Sequence, residues 1–292
     1  MEWIERLNCV IDYIENHLQE KVDYEKLAEI ANCPSYYFQR MFFYMTNISV
    51  SEYVRRRRMS LAAVDLQDKQ VKIIDVALKY GYDSPTAFNR AFQSIHGIAP
   101  SLAKKERTTL KSYPAINFSL SVHGMDEMNY KIEQKESFQI LGKSCPLSKV
   151  LDENFAAIPH EWDKALENGT LSELYSFMNK QPNGLLGVSV HNEEEWKYFI
   201  AVSSDKSHNC FEKYEIPAAT WAIFSGRGTN ISLQNLERRV ITEWLPTSGY
   251  DYAKIPDIEV YLKASPDDAI YEYWLPIIRK EEKKNGSINN QS

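Results

Sequence analysis

Apolar residues at Phe38, Met41, Phe42 and Met45 recur at i, i+3, i+4 and i+7, the spacing of one helical face, and Phe88, Ala91, Phe92 and Ile95 repeat it with an offset of 50. The same offset aligns Gln39 with Asn89, Arg40 with Arg90, and Ile48 with Ile98. A repeat of this size means one supersecondary unit used twice. Each copy follows a short amphipathic pattern, "YEKLAEIAN" at 24–32 and "IIDVALKYG" at 73–81, across only a few residues. Pro34 and Pro85 suit a first helical turn, where a missing N–H costs nothing, and Ser84 is a ready N-cap. "SEYVRRRRMSLAAVDLQ" predicts a long helix linking the copies, and Trp3, Ile4, Leu7, Val10, Ile11 and Ile14 predict a leading one. Helix, tight turn, helix is the shape that lays its second member in a DNA major groove, and it is equally the shape of a plain helical bundle.

Beyond about residue 108 the period changes. "AINFSLSV" alternates Ile116, Phe118, Leu120 and Val122, which predicts a half-buried strand. Further strands are expected at 130–144, 184–190, 196–203, 214–228, 257–264 and 269–278, with helices at 151–179 and 231–244. After residue 129 the order reads strand, helix, strand, strand, and then the same again. The expected fold is therefore multidomain: an all-α domain over 1–108 with two helix-turn-helix units, and an α+β domain over 109–283 built from a duplicated strand-helix-strand-strand unit on an antiparallel sheet. A polar tail, 284–292, ends the chain.

Charge changes the picture. The net value of −6 averages unlike halves: residues 1–108 hold 15 Lys+Arg against 14 Asp+Glu, and the remainder is net −7. Only the first half suits a polyanion. "RRRR" at 55–58 is the densest basic cluster, either the solvated side of a helix or a phosphate contact. No apolar run is long enough to span a membrane, and the acid-bearing N-terminus lacks the apolar core of a signal peptide. The four cysteines are scattered, which fits a reducing cytoplasm. No Ser-His-Asp arrangement, H-E-x-x-H or P-loop is present, and the six histidines have no ligand-like spacing. Neither catalytic residues, nor a metal, nor a cofactor is expected.

On "DIEVYLK", Ile258, Val260 and Leu262 share one face of a strand, which leaves Glu259 and Tyr261 on the other. An acid beside aromatic rings is either solvated or lines a pocket that favours an organic cation. Five of the six tryptophans fall in this half, and Trp162 and Trp221 join Tyr261 as candidate walls or core residues.

The stretch "LAEIANCPSYYFQRMFFYMTNISVSEYVRRRRMSLAAVDL" followed by "IIDVALKYGYDSPTAFNRAFQSIHGIAP" resembles the DNA-binding domain of the AraC/XylS family of transcription regulators. The resemblance implies two helix-turn-helix units entering adjacent major grooves of promoter DNA, roughly 34 Å apart. By position, the base readers would be Tyr36, Gln39 and Arg40 in the first unit, and Thr86, Asn89 and Arg90 in the second. Val50 stands where the family usually has proline, and Pro85 where it often has a polar residue, so Arg90 has a structural role as its alternative. The second half, with "IPAATWAIFSGRG" and "PDIEVYLKASPDDAIYEYWLPI", resembles the GyrI-like effector-binding domain, which implies an aromatic cavity around a central acid, here Glu259. Together they imply a regulator that binds a small cationic or amphipathic organic effector and acts through RNA polymerase. The alternatives within this family resemblance are a small-molecule hydrolase and a protein-docking module. Effector, operator, sign of regulation and oligomeric state stay open.

Overall fold

A computed structural model describes residues 3–105, 108–119, 127–191, 196–265 and 268–280. The predicted tail 284–292, and Leu120 and Val122 of the predicted first strand, lie outside these residues. The chain divides into two compact units, Met1–Met125 with Ser148–Phe155, and Asp126–Leu147 with Ala156–Ser292. The first unit thus runs past residue 108 and takes in a short piece of the following half.

The first unit is helical: α1 (Trp3–Asn16), α2 (Tyr24–Ala31), α3 (Ser35–Thr46), α4 (Val50–Asp65), α5 (Ile73–Lys79), α6 (Pro85–His96) and α7 (Pro100–Ala103). Start signals are local and legible. Asp23, Ser49 and Ser84 each accept a backbone N–H of the helix that follows, which satisfies one orphan donor apiece. The offset of 50 survives into three dimensions: α3 and α6 match residue for residue, and Asn47 (φ 57°) and Gly97 (φ 76°) end them in the same left-handed conformation. Phe38, Phe42, Phe88 and Phe92 are fully buried, each stabilising by about 1.5–3 kcal/mol. α4 serves both halves of the unit. Its Val50, Tyr53 and Val54 are buried toward the start of the helix, and its Met59, Ala62 and Ala63 pack with Val76, Phe88, Phe92 and Ile95.

Residues 111–118 carry no regular secondary structure, so the expected strand is absent among the described residues. This segment is a strap whose backbone bonds go to side chains of the helical unit. Lys111 N donates to His96 Nδ1 (3.2 Å), Tyr113 N to Ser60 Oγ (2.9 Å), and Ile116 N to the Tyr53 hydroxyl (3.3 Å). Phe118 and Asn8 exchange two bonds of 2.8 and 2.9 Å. Alternation of side chains predicts a strand; it does not report what the backbone pairs with.

The second unit holds β1 (Tyr130–Lys135), β2 (Phe138–Pro146), β3 (Leu185–His191), β4 (Trp196–Ser203), β5 (Glu212–Ile216), β6 (Ala219–Gly228), β7 (Tyr250–Tyr252), β8 (Ile258–Lys263) and β9 (Ala269–Arg279). They form one sheet in the order β1-β6-β9-β8-β3-β4-β2-β5, with β7 beside β9 and every pair antiparallel. The helices are α8 (Leu151–Glu167), α9 (Thr170–Phe177) and α10 (Asn230–Arg239), the last continued by a π-helical turn at Val240–Trp244 and a short α-helical one, α11 (Leu245–Thr247). The duplicated unit is present: β2, α8–α9, β3, β4, and then β6, α10, β8, β9. Strands β3 and β8 join the two copies. Ile258 and Val260 face an apolar core with Leu186, Val188, Trp221 and Trp274. Alternation then sends Glu259 and Tyr261 to the opposite face.

Candidate functional site

The two candidate reading helices differ in exposure. On α6, Thr86 and Arg90 are exposed and Asn89 is half-buried. Their counterparts on α3 are covered: Tyr36, Gln39 and Arg40 are 5%, 3% and 6% exposed. The Arg40 guanidinium lies 5.6 Å from the Tyr36 ring centre and 5.7 Å from that of Tyr44. Gln39 Nε2 donates to the Lys149 carbonyl at 2.9 Å. Sequence position assigned both triads the same role; only α6 presents its triad to solvent in this conformation.

The arginine cluster on α4 is tied into the helical unit by its own side-chain contacts. Arg57 forms a two-pronged pair with Glu15 (2.7 and 2.8 Å) and also donates to the Tyr113 carbonyl (2.6 Å). Arg58 donates to the carbonyls of Leu18 and Glu20. Arg55 and Arg56 share Glu52, and Arg55 reaches Ser94 of α6 at 2.8 Å. These side chains rivet α4 to α1, α6 and the strap. A planar five-donor fork suits that work better than an ammonium would.

In the second unit, three elements converge on Glu259. β8 supplies Glu259 and Tyr261, β4 supplies Tyr198, and α8 supplies Trp162. The Tyr261 and Tyr198 hydroxyls donate to Glu259 Oε2 at 3.0 and 3.3 Å. Trp162 Nε1 donates to the Tyr198 hydroxyl at 2.9 Å, and its ring stands edge-on to Tyr261 with centroids 5.1 Å apart. The approach depends on Gly187, paired with Glu259 across β3 and β8. A Cβ there would strike the Tyr198 hydroxyl and lie 2.7 Å from Glu259 Oε2. Burial pushes the Tyr261 pKa well above the usual phenol range, and the Glu259 charge adds to it, with a smaller contribution from Glu237 of α10. Glu237 is itself 3% exposed. The Tyr261 phenol therefore keeps its proton, and both hydroxyls are placed to donate to the Glu259 carboxyl group, contacts that would solvate a charge there without neutralising it.

Trp221, the remaining wall candidate, does not join this cluster. It sits on β6 two residues before Ile223 and on the same face, fully buried on the other side of the sheet from Glu259 and 5.8 Å from Trp274. Its composition fitted a binding wall; its parity relative to Glu259 depended on cross-strand register, which no single strand reveals. Tyr198 and Gly187 were missed for the complementary reason. β3 and β4 are buried on both faces, so their runs do not alternate and neither residue stands out. Among the described residues, no cluster of His, Cys, Asp and Glu is arranged to hold a metal, and no helix is long and apolar enough to cross a membrane.

Comparison with known proteins matches residues 128–278 to the GyrI-like small molecule binding domain and residues 27–106 to a helix-turn-helix domain. The HTH-type transcriptional activator AarP of Providencia stuartii is 33% identical over 99 residues, covering 34% of this chain and 73% of AarP. The right origin-binding protein of Escherichia coli (strain K12) is 24% identical over 261 residues, covering 86% of this chain and 88% of that protein. The transcriptional regulator Rob of Salmonella typhimurium is 23% identical over 283 residues, with 91% and 96% covered.

Proposed function

The chain belongs to the GyrI-like small molecule binding family, carried on an AraC-type helix-turn-helix regulator, and on that premise we propose a one-component switch in which an organic cation held at Glu259 controls promoter binding by α3 and α6. Within this reading Thr86, Asn89 and Arg90 meet DNA through α6, and Tyr36, Gln39 and Arg40 through α3. Arginine pairs with guanine O6 and N7, and an amide with adenine, which gives each helix a means to discriminate. Glu259, Tyr198, Tyr261 and Trp162 receive the effector: aromatic faces and one carboxylate favour a lipophilic cation over a neutral or anionic compound. Trp162 would have to move to admit it. Transcription is activated through contact with RNA polymerase.

The observation that carries this reading is the coexistence, on one chain, of an α6 with Thr86 and Arg90 exposed and an acid that accepts from two phenols beneath an indole. The test is a comparison of wild type and Arg90→Ala on duplexes enriched from a random pool by the full-length protein. Loss of a base contact by Arg90 should weaken binding by about 1–3 kcal/mol and relax preference at one position of the motif. Equal affinity and an unchanged motif would remove α6 from the reading.

A further inference from the structure

We propose that residues 148–154 form an autoinhibitory latch on α3, holding the first helix-turn-helix unit out of DNA until the latch is withdrawn. The proposal rests on the promoter-binding reading above. Three observations carry it. First, the covered face of α3 is the one its repeat partner leaves open: Gln39 and Arg40 are buried where Asn89 and Arg90 are not, although the two helices are matched in length and capping. A buried amide cannot reach a base edge. Second, the covering segment includes a built contact, since the Lys149 carbonyl accepts from Gln39 Nε2, the group that would otherwise pair with adenine.

Third, the latch has internal structure. Asn154, 2% exposed, accepts from Ser148 N and donates to Ser148 O, both at 2.8 Å, while Val150 N donates to Ser148 Oγ at 3.1 Å. This reciprocal clamp closes the turn and fixes the Lys149 carbonyl in its presenting position. The segment clusters with the helical unit although it lies in sequence between β2 and α9.

The latch also has a handle. α8 begins at Leu151, within the latch, and carries Trp162 further along. Displacement of Trp162 by an effector acts on the same helix that the latch begins. Pro159 lies between them, and a proline inside a helix removes one backbone hydrogen bond and favours a bend there. When a binding-competent state is only fractionally populated, the apparent dissociation constant rises by the inverse of that fraction. Opening the latch therefore tightens DNA binding without any new contact.

The test uses full-length protein without added effector, and the motifs that each variant enriches from a random duplex pool. Wild type should enrich a motif confined to one major groove. Asn154→Ala should enrich a motif extending into the adjacent groove and bind that longer duplex about tenfold more tightly than wild type does, the scale expected for loss of two clamp hydrogen bonds. Ser148→Ala removes only the Val150 bond at a half-buried position. It should shift both readouts in the same direction by a smaller factor, and it decides the matter alone if Asn154→Ala fails to fold by thermal unfolding. Identical motif length and affinity for wild type and every folded variant overturns the latch and leaves the regulator reading standing. No enrichment by any of the proteins overturns both.

Discussion

At the residue scale, the proposed effector site turns on one carboxylate oxygen. Glu259 Oε2 accepts from two phenols, and Gly187 supplies the room for one of them. Glu259→Gln keeps the shape and removes the charge. Calorimetry with tetraphenylphosphonium as probe should show affinity lowered by about 1–3 kcal/mol, the range for hydrogen bonds and contacts made to a desolvated charge. Equal affinity would separate this site from cation binding. The acid itself was legible in the sequence, because Ile258, Val260 and Leu262 claim one face of β8 and leave Glu259 and Tyr261 the other. Trp162 was legible only as an aromatic residue of the right half. Tyr198 and Gly187 were not legible, since a strand buried on both faces carries no alternation to read.

At the element scale, helices were read more surely than pairings. The offset of 50 located α3 and α6 and the short helices before them, because capping and 3.6-residue periodicity are local properties. Segment 130–144 was expected as one strand and is two, β1 and β2, which lie far apart in the sheet: β1 pairs β6, and β2 pairs β4 and β5. The strap is the sharper lesson, because its alternation is that of a strand while its partners are side chains. One of these partners titrates. His96 is buried with Nε2 3.0 Å from the Met59 carbonyl and Nδ1 accepting from Lys111 N, so the neutral ring protonated on Nε2 satisfies both. Burial lowers its pKa from 6.5. Below that value the unfolded chain binds a proton that the folded chain resists, so this contribution to stability is whole above about pH 6.5 and shrinks as the pH falls through the lower folded value. Amide exchange at Lys111 and Tyr113, corrected for the intrinsic rate, should lose protection between about pH 7 and pH 5, and should lose less in His96→Gln. A pH-independent protection factor would exclude the imidazole from holding the strap.

At the scale of the whole molecule, charge is divided between the halves. Residues 1–108 are net +1 within a chain of net −6. Four of the basic side chains in that first half, Arg55 to Arg58, are engaged with Glu15, Glu52, Ser94 or backbone carbonyls. Binding should nevertheless weaken steeply with salt, because counterion release depends on the phosphates locally neutralised and not on net charge, with a slope of about −0.9 per phosphate contact. Fluorescence anisotropy of the full chain on duplex DNA from about 50 to 200 mM salt checks this, and a flat response would argue that no phosphates are gripped. The latch adds a second expectation at this scale: the slope should steepen in Asn154→Ala, where a second helix joins the contact.

The strap has a practical consequence for anyone wishing to excise the helical portion. A cut at residue 108, where the composition changes, would strip Asn8, Tyr53, Ser60 and His96 of the amides they hold and uncover the seam beneath. A fragment meant to survive alone should retain its chain through at least residue 119, even though that extra length is not helical.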